Sequence, residues 1–143
     1  MPVVVDDRLL FGVLAGTAPL PLTRELETGG LYTTSGGYYR LGRAVTAGSG
    51  TGSLSGLLQA LEPEVKSQVL GAIADLPRSI GMIHPRTAVP VMLELRVRRP
   101  LNMINAETLA VAVLIGGAVA VTTDTPLLRQ GAAELGLDYQ LFT

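Results

Sequence analysis

The stretch VVVDDRLL, residues 3–10, decides how this chain is organised. Its consecutive valines are β-branched and apolar, which is typical of a strand buried on both faces of a parallel sheet. The strand runs directly into Asp6 and Asp7, two carboxylates that repel each other and that an apolar strand does not need. The following RLLFGVLAG (residues 8–16) is typical of a short helix, for which Asp7 occupies the N-cap position. The stretch therefore predicts a buried strand and a helix with an acidic junction between them.

The same order of strand and helix continues along the chain. Strands are predicted over residues 2–5, 30–34, 79–85, 118–124 and 138–142. Helices are predicted over residues 8–16, 35–48, 63–77, 86–97, 104–117 and 126–136. Because alternating strands and helices form a parallel sheet covered on both faces, we expect a single α/β domain spanning residues 1–143. Its architecture is expected to be a three-layer α/β/α sandwich around a central, mostly parallel sheet of about five strands.

Some local expectations accompany this architecture. TAPLPLTRELETGG (residues 17–30) favours a loop or a weak helical turn, and the Gly/Ser-rich SGTGSLSG (residues 49–56) favours a surface loop. Asn105 is the expected N-cap of the helix INAETLAVAVLIGG, and Gly116 and Gly117 are expected to end it.

Composition narrows the classes of function. Hydrophobic residues make up 48% of the chain and the mean hydropathy is +0.40, which favours a folded protein with a real core. The net charge of −1 gives no overall attraction to nucleic acid, so RNA binding needs a local basic patch. The chain has no cysteine for disulfide or thiolate chemistry, and its single histidine excludes a multi-histidine metal site. The start MPVVVDDRLL does not resemble a signal peptide, and the longest apolar stretch is shorter than a membrane span of ~20 residues, so we expect a cytoplasmic protein without a membrane partner.

Carboxylates follow two of the predicted strands. Asp6 ends the first strand, and Asp124 ends the strand AVAVTTD. If these strands are neighbours, both carboxylates lie at the carboxyl edge of the sheet, where ligands bind in open parallel sheets. Glu107 lies near the N-terminus of the helix that precedes the second strand, and reaches the same edge if that end of the helix points that way. Three clustered carboxylates would suit Mg²⁺ or Mn²⁺, because these hard ions take oxygen ligands.

The order of these elements resembles that of the PIN domain family. VVVDDRLLFGVLAG (residues 3–16) is similar to the family's first strand and helix, and LYTTSGGYYRL (residues 31–41) to its second strand and helix. INAETLAVAVLIGGAVAVTTDTPLLRQGAAELGL (residues 104–137) is similar to its C-terminal half. The resemblance implies a metal-dependent ribonuclease of the VapC toxin type, with RNA as substrate and a small antitoxin-type protein as partner. Charged residues make up only 16% of the chain, so apolar surface is expected to stay exposed on a monomer, which also favours a homodimer.

The resemblance carries over residue by residue, with one departure. The family's first, third and fourth acids fall on Asp6, on Glu107 within about one residue, and on Asp124, which are therefore the expected catalytic residues and Mg²⁺ or Mn²⁺ ligands. The second acid should follow the second strand, at the position of Arg40. A guanidinium repels a cation, and it is expected to pair with Asp6, Glu107 or Asp124 instead. Asp6 is then the site carboxylate, and Asp7 the helix cap.

Three interpretations of function stay open at this point. The first is a VapC-type ribonuclease with its metal on Asp6, Glu107 and Asp124. The second is a catalytically impaired PIN-fold binding or assembly protein, in which Arg40 replaces a metal-site acid. The third is an unrelated response-regulator-like domain, which Asp6 and Asp7 would suit, but the chain shows no clear phosphoacceptor aspartate at a third strand end and no late lysine.

Aromatic and basic residues outside this acidic set have two interpretations each. The tyrosines of YTTSGGYYR (residues 32–40) lie close to Arg40 and Arg43, and suit either stacking on bases or a place in the core or in a partner interface. RVRRP (residues 96–100) suits either RNA phosphates or a solvated helix end.

Overall fold

The computed structural model describes residues 1–46 and 52–143, and within them the chain forms five strands and eight helices. The strands are β1 (Val3–Val5), β2 (Leu31–Thr33), β3 (Gly81–Met82), β4 (Ala118–Val121) and β5 (Tyr139–Leu141). The helices are α1 (Asp7–Ala15), α2 (Leu20–Thr28), α3 (Ser35–Thr46), α4 (Ser53–Gln59), α5 (Pro63–Ala74), α6 (Pro85–Arg98), α7 (Met103–Ile115) and α8 (Pro126–Glu134).

The strands form one parallel sheet in the order β3-β2-β1-β4-β5. β1 lies at the centre, where Val4 is in register with Tyr32 of β2 on one side and Val119 of β4 on the other. The predicted pairing of the first strand with the strand before Asp124 is confirmed, so Asp6 and Asp124 both follow strands at the carboxyl edge. The five-stranded parallel sheet also confirms the expected α/β class.

Helices cover both faces of the sheet. Since successive side chains of a strand point to opposite faces, Val3 and Val5 pack in the core formed with α1 to α5, while Val4 packs in the core formed with α6 to α8. All three valines are at most 2% exposed. The three-layer α/β/α sandwich is confirmed, and the continuous apolar character of β1 follows from burial on both faces.

The segment expected to be a loop or a weak helical turn (residues 17–30) and the segment expected to be a surface loop (residues 49–56) both contain helices. Residues 20–28 form α2, which starts after Pro19 and ends at Gly29 in a left-handed conformation (φ 79°). Residues 53–59 form α4, whose Leu54 and Leu58 are buried one helical turn apart. Residues 49–51 of the expected loop lie outside the described part of the chain, as do the last two residues of the helix predicted over 35–48.

The cap of α7 differs from the expectation. Asn102 is the N-cap, and its Oδ1 accepts a hydrogen bond at 2.8 Å from the backbone N–H of Asn105, so Asn105 lies inside the helix. Gly116 ends α7 with φ 61°, as predicted. Among the helices of residues 1–46 and 52–143, none combines the length and apolar character needed to cross a membrane.

Candidate functional site

A cleft of about 690 Å³ opens at the carboxyl end of β1. It lies where strand order reverses around β1, with β2 on one side and β4 on the other, which is the usual ligand position in open parallel sheets. Its charged lining residues are Asp6, Asp7, Arg8, Arg40 and Arg43. Its uncharged polar lining includes Thr34, Ser53, Asn105, Thr108, Thr122 and Thr123.

Asp6 joins the start of α1 to the end of β4. Its Oδ1 accepts a hydrogen bond at 2.8 Å from the backbone N–H of Leu9, and its Oδ2 accepts from the backbone N–H and hydroxyl of Thr122 at 2.7 and 2.8 Å. Asp6 is therefore the N-cap of α1, and the prediction that Asp7 caps this helix is wrong. The physical reason is that Asp6 still has extended backbone angles, whereas Asp7 is already the first helical residue.

Asp7 and Arg40 form an ion pair in the cleft. The Nε of Arg40 lies 3.7 Å from Oδ2 of Asp7, whose side chain is 18% exposed. Burial raises the pKa of the Asp7 carboxyl above its ordinary value, and the charge of Asp6 adds to this increase, while the guanidinium of Arg40 opposes it. Arg40 thus lines the same cleft as Asp6, but the ion-pair partner that the structure gives it is Asp7, and not Asp6, Glu107 or Asp124 as expected.

Glu107 lies against the N-terminus of α3. Its Oε2 accepts hydrogen bonds from the hydroxyl and the backbone N–H of Ser35, the latter at 2.9 Å, and its Oε1 accepts from the N–H of Gly36 at 2.8 Å. The residue is only 3% exposed. Glu107 therefore stabilises the first amide groups of α3, and the side of α7 that lines the cleft presents Asn105 and Thr108.

Asp124 lies on an exposed part of the same sheet edge. Its Oδ2 accepts a hydrogen bond at 2.7 Å from Nη1 of Arg129, and its Oδ1 accepts from the hydroxyl of Tyr139 at 3.0 Å. Burial raises the pKa of the Tyr139 phenol, and the hydrogen bond to Asp124 raises it further. Both carboxylate oxygens of Asp124 thus contact α8 and β5.

The residues of the cleft do not fit the divalent ion that the PIN resemblance implies. Within residues 1–46 and 52–143, no group of three or more acidic or histidine side chains is placed to hold a metal. The structure thus does not bring Asp6, Glu107 and Asp124 into one group. The cleft is lined by the carboxylates of Asp6 and Asp7, and the Arg40 guanidinium lies beside Asp7, where its positive charge opposes a hard cation.

Sequence reasoning missed several polar residues of the cleft. Thr122, whose backbone N–H and hydroxyl donate to Asp6, belongs to the Thr-Thr-Asp motif, in which the sequence points only to the carboxylate of Asp124. The sequence predicts Asn105 as a helix cap, whereas the residue lies inside α7 and lines the cleft. Because it lies two residues before Glu107, it points to a different side of the helix. No sequence motif indicates that Arg8 lines the cleft, apart from its position next to Asp7.

Comparison of the chain with known protein families, curated proteins and solved structures finds no match. The resemblance to PIN domains therefore stays a prediction from the order of strands and helices and from the sequence motifs.

Proposed function

We propose that this chain is a PIN-fold protein that has lost metal-dependent catalysis and binds RNA through its phosphates in the cleft beside β1. The observation that carries the proposal is the Arg40–Asp7 ion pair, at the helix position where the family pattern expects an acid. Glu107 and Asp124, the other expected ligands besides Asp6, have partners outside the cleft.

The charges of the cleft support a phosphate ligand. Arg40 and Asp7 offset each other, and Asp6 accepts hydrogen bonds from Leu9 and Thr122. With the exposed Arg8 and Arg43, the lining has three arginines against the two aspartates, which leaves an excess of one positive charge in the cleft. A guanidinium matches two phosphate oxygens at once, and hydroxyl and amide groups along the walls supply further donors. This is the local basic patch that a chain of net charge −1 needs for binding RNA.

The second candidate is the Mg²⁺- or Mn²⁺-dependent ribonuclease of VapC type. It is favoured by the position of Asp6 and Asp7, whose partly buried carboxylates line the same cleft at the carboxyl edge. This candidate function includes the other predictions from the sequence, which are a small antitoxin-type partner, a homodimer and a cytoplasmic location.

Fluorescence anisotropy with a labelled single-stranded uridine oligomer distinguishes the two candidates. We expect the wild type to bind in EDTA, more weakly as salt rises, and to yield no cleavage products when Mn²⁺ is added. The double variant Arg8→Gln/Arg43→Gln is expected to lose binding, whereas Arg24→Gln, on the exposed side of α2 and absent from the cleft lining, is the matched control. Cleavage that requires Mn²⁺ and is lost in Asp6→Asn would establish the ribonuclease and overturn the proposal.

A further inference from the structure

A second concavity of about 510 Å³ follows one side of α3, next to the cleft. Tyr39, Gly42, Arg43 and Thr46 line it from α3, and Ile73 lines it from α5. Their spacing of three or four residues places the α3 members on one face of the helix. Arg43 lines both the cleft and this groove, so its side chain borders the two cavities.

The groove has an exposed aromatic ring, that of Tyr39, next to the hydrogen-bonded side chain of Tyr38. Tyr39 is 69% exposed, so its ring is presented to solvent. The neighbouring Tyr38 is held in place because its hydroxyl donates to the backbone oxygen of Ile73. At Gly42 an added Cβ would lie 3.6 Å from Cγ2 of Ile73, an ordinary contact. The fold would therefore accept a side chain at Gly42, and glycine leaves the floor of the groove open.

We infer that this groove binds one unpaired base of the RNA strand whose phosphates lie in the cleft, by stacking on Tyr39. The inference rests on the proposed function. Arg43 lies one helical turn from Tyr39, about 6 Å along the axis of α3. A nucleotide whose phosphate binds Arg43 can therefore place its base against the ring of Tyr39. Stacking on an aromatic side chain accepts any base, but needs one that is not already stacked in a duplex.

Two labelled probes of equal length test this assignment: a uridine oligomer and an abasic ribose-phosphate oligomer. We expect the wild type to prefer the uridine oligomer by about 5- to 150-fold, the range that stacking of one base provides. Tyr39→Ala should abolish the preference, and Tyr39→Phe should retain it. Gly42→Gln, which keeps Tyr39 but fills the groove, should also abolish it. Arg43→Gln should weaken binding of both probes.

The outcomes separate this inference from the proposed function. If both probes bind the wild type and Tyr39→Ala leaves their ratio unchanged, phosphate binding by the cleft stands and the stacking site is overturned. If neither probe binds, both are overturned. If Tyr39→Ala leaves RNA binding intact but changes the molar mass in light scattering, the groove is a protein contact and the inference fails. Thermal unfolding of each variant verifies that it is folded.

Discussion

The guanidinium of Arg40 lies 3.7 Å from the carboxylate of Asp7, within the cleft at the carboxyl edge of the sheet. In the function proposed above, this contact brings a positive charge to the position at which a PIN-type site would have an acid. It also connects α3 with the first turn of α1, close to Asp6, the carboxylate that follows β1. The balance of charge around this pair decides whether the cleft attracts a cation or a phosphate.

Arg40→Glu is expected to tighten the binding of Mn²⁺. The substitution removes the charge that opposes the ion and adds a carboxylate beside Asp6 and Asp7. The wild type is expected to bind Mn²⁺ on the order of millimolar or more weakly, since it offers few oxygen ligands. Isothermal titration calorimetry at one pH and ionic strength measures both proteins. Arg40→Gln, which removes the charge without adding a ligand, should give an intermediate affinity. Tight binding by the wild type that is lost in Arg40→Glu would place Arg40 outside the site.

The raised pKa of Asp7 predicts a pH-dependent difference in stability between the wild type and Asp7→Asn. A carboxyl whose folded pKa lies above its unfolded value contributes stability below the unfolded pKa, and loses it as pH rises through the folded pKa. The ordinary pKa of an aspartate carboxyl is 3.8, and that of Asp7 is raised in the folded protein. As pH rises from below 3.8 through this raised pKa, the free energy of unfolding of the wild type should therefore fall relative to that of Asp7→Asn. Urea unfolding at a series of pH values measures this difference. In an Arg40→Gln background the loss should extend to higher pH, and a difference independent of pH would contradict the prediction.

Asp6→Ala should destabilise the protein more than Asp7→Ala. Asp6 caps α1 and also accepts both hydrogen bonds from Thr122, so its removal is expected to lower the free energy of unfolding by about 2 kcal/mol. Asp7→Ala is expected to change it by less than about 1 kcal/mol at neutral pH, because burial opposes the charge of Asp7. Denaturant unfolding of the two variants gives the comparison. The reverse order would mean that Asp7 is the effective cap.

Glu107→Ala is expected to lower the free energy of unfolding by roughly 2–4 kcal/mol, since it leaves backbone donors of Ser35 and Gly36 without their acceptor. Glu94→Ala, at an exposed position of α6, is the control and should change it by less than about 0.5 kcal/mol. Denaturant unfolding and a Mn²⁺ titration are made on the same preparations. Unchanged stability combined with loss of Mn²⁺ binding would show that Glu107 is a metal ligand.

The α/β/α architecture was predictable because its signals are local. The valines of β1, the strand before Asp124 and the glycine that ends α7 are each recognised within a few residues. The helices α2 and α4 were not predicted with their full length, because Pro19 and Pro21 at the start of α2 and the Gly/Ser-rich composition around α4 favour loops and turns. They are stabilised by leucines that they bury in the core, such as Leu22 and Leu58.

The sequence by itself predicted the parallel sheet and the position of Asp6 at its carboxyl edge. Only the tertiary structure decided which side chains face one another across the cleft. Asn105 and Glu107 are two residues apart, about 200° around a helix, so one rotation of α7 directs Asn105 to the cleft and Glu107 to the start of α3. That rotation depends on the packing of α7 against β1 and α3, which are distant in sequence, as well as against its chain neighbours α6 and β4, and no local pattern encodes it.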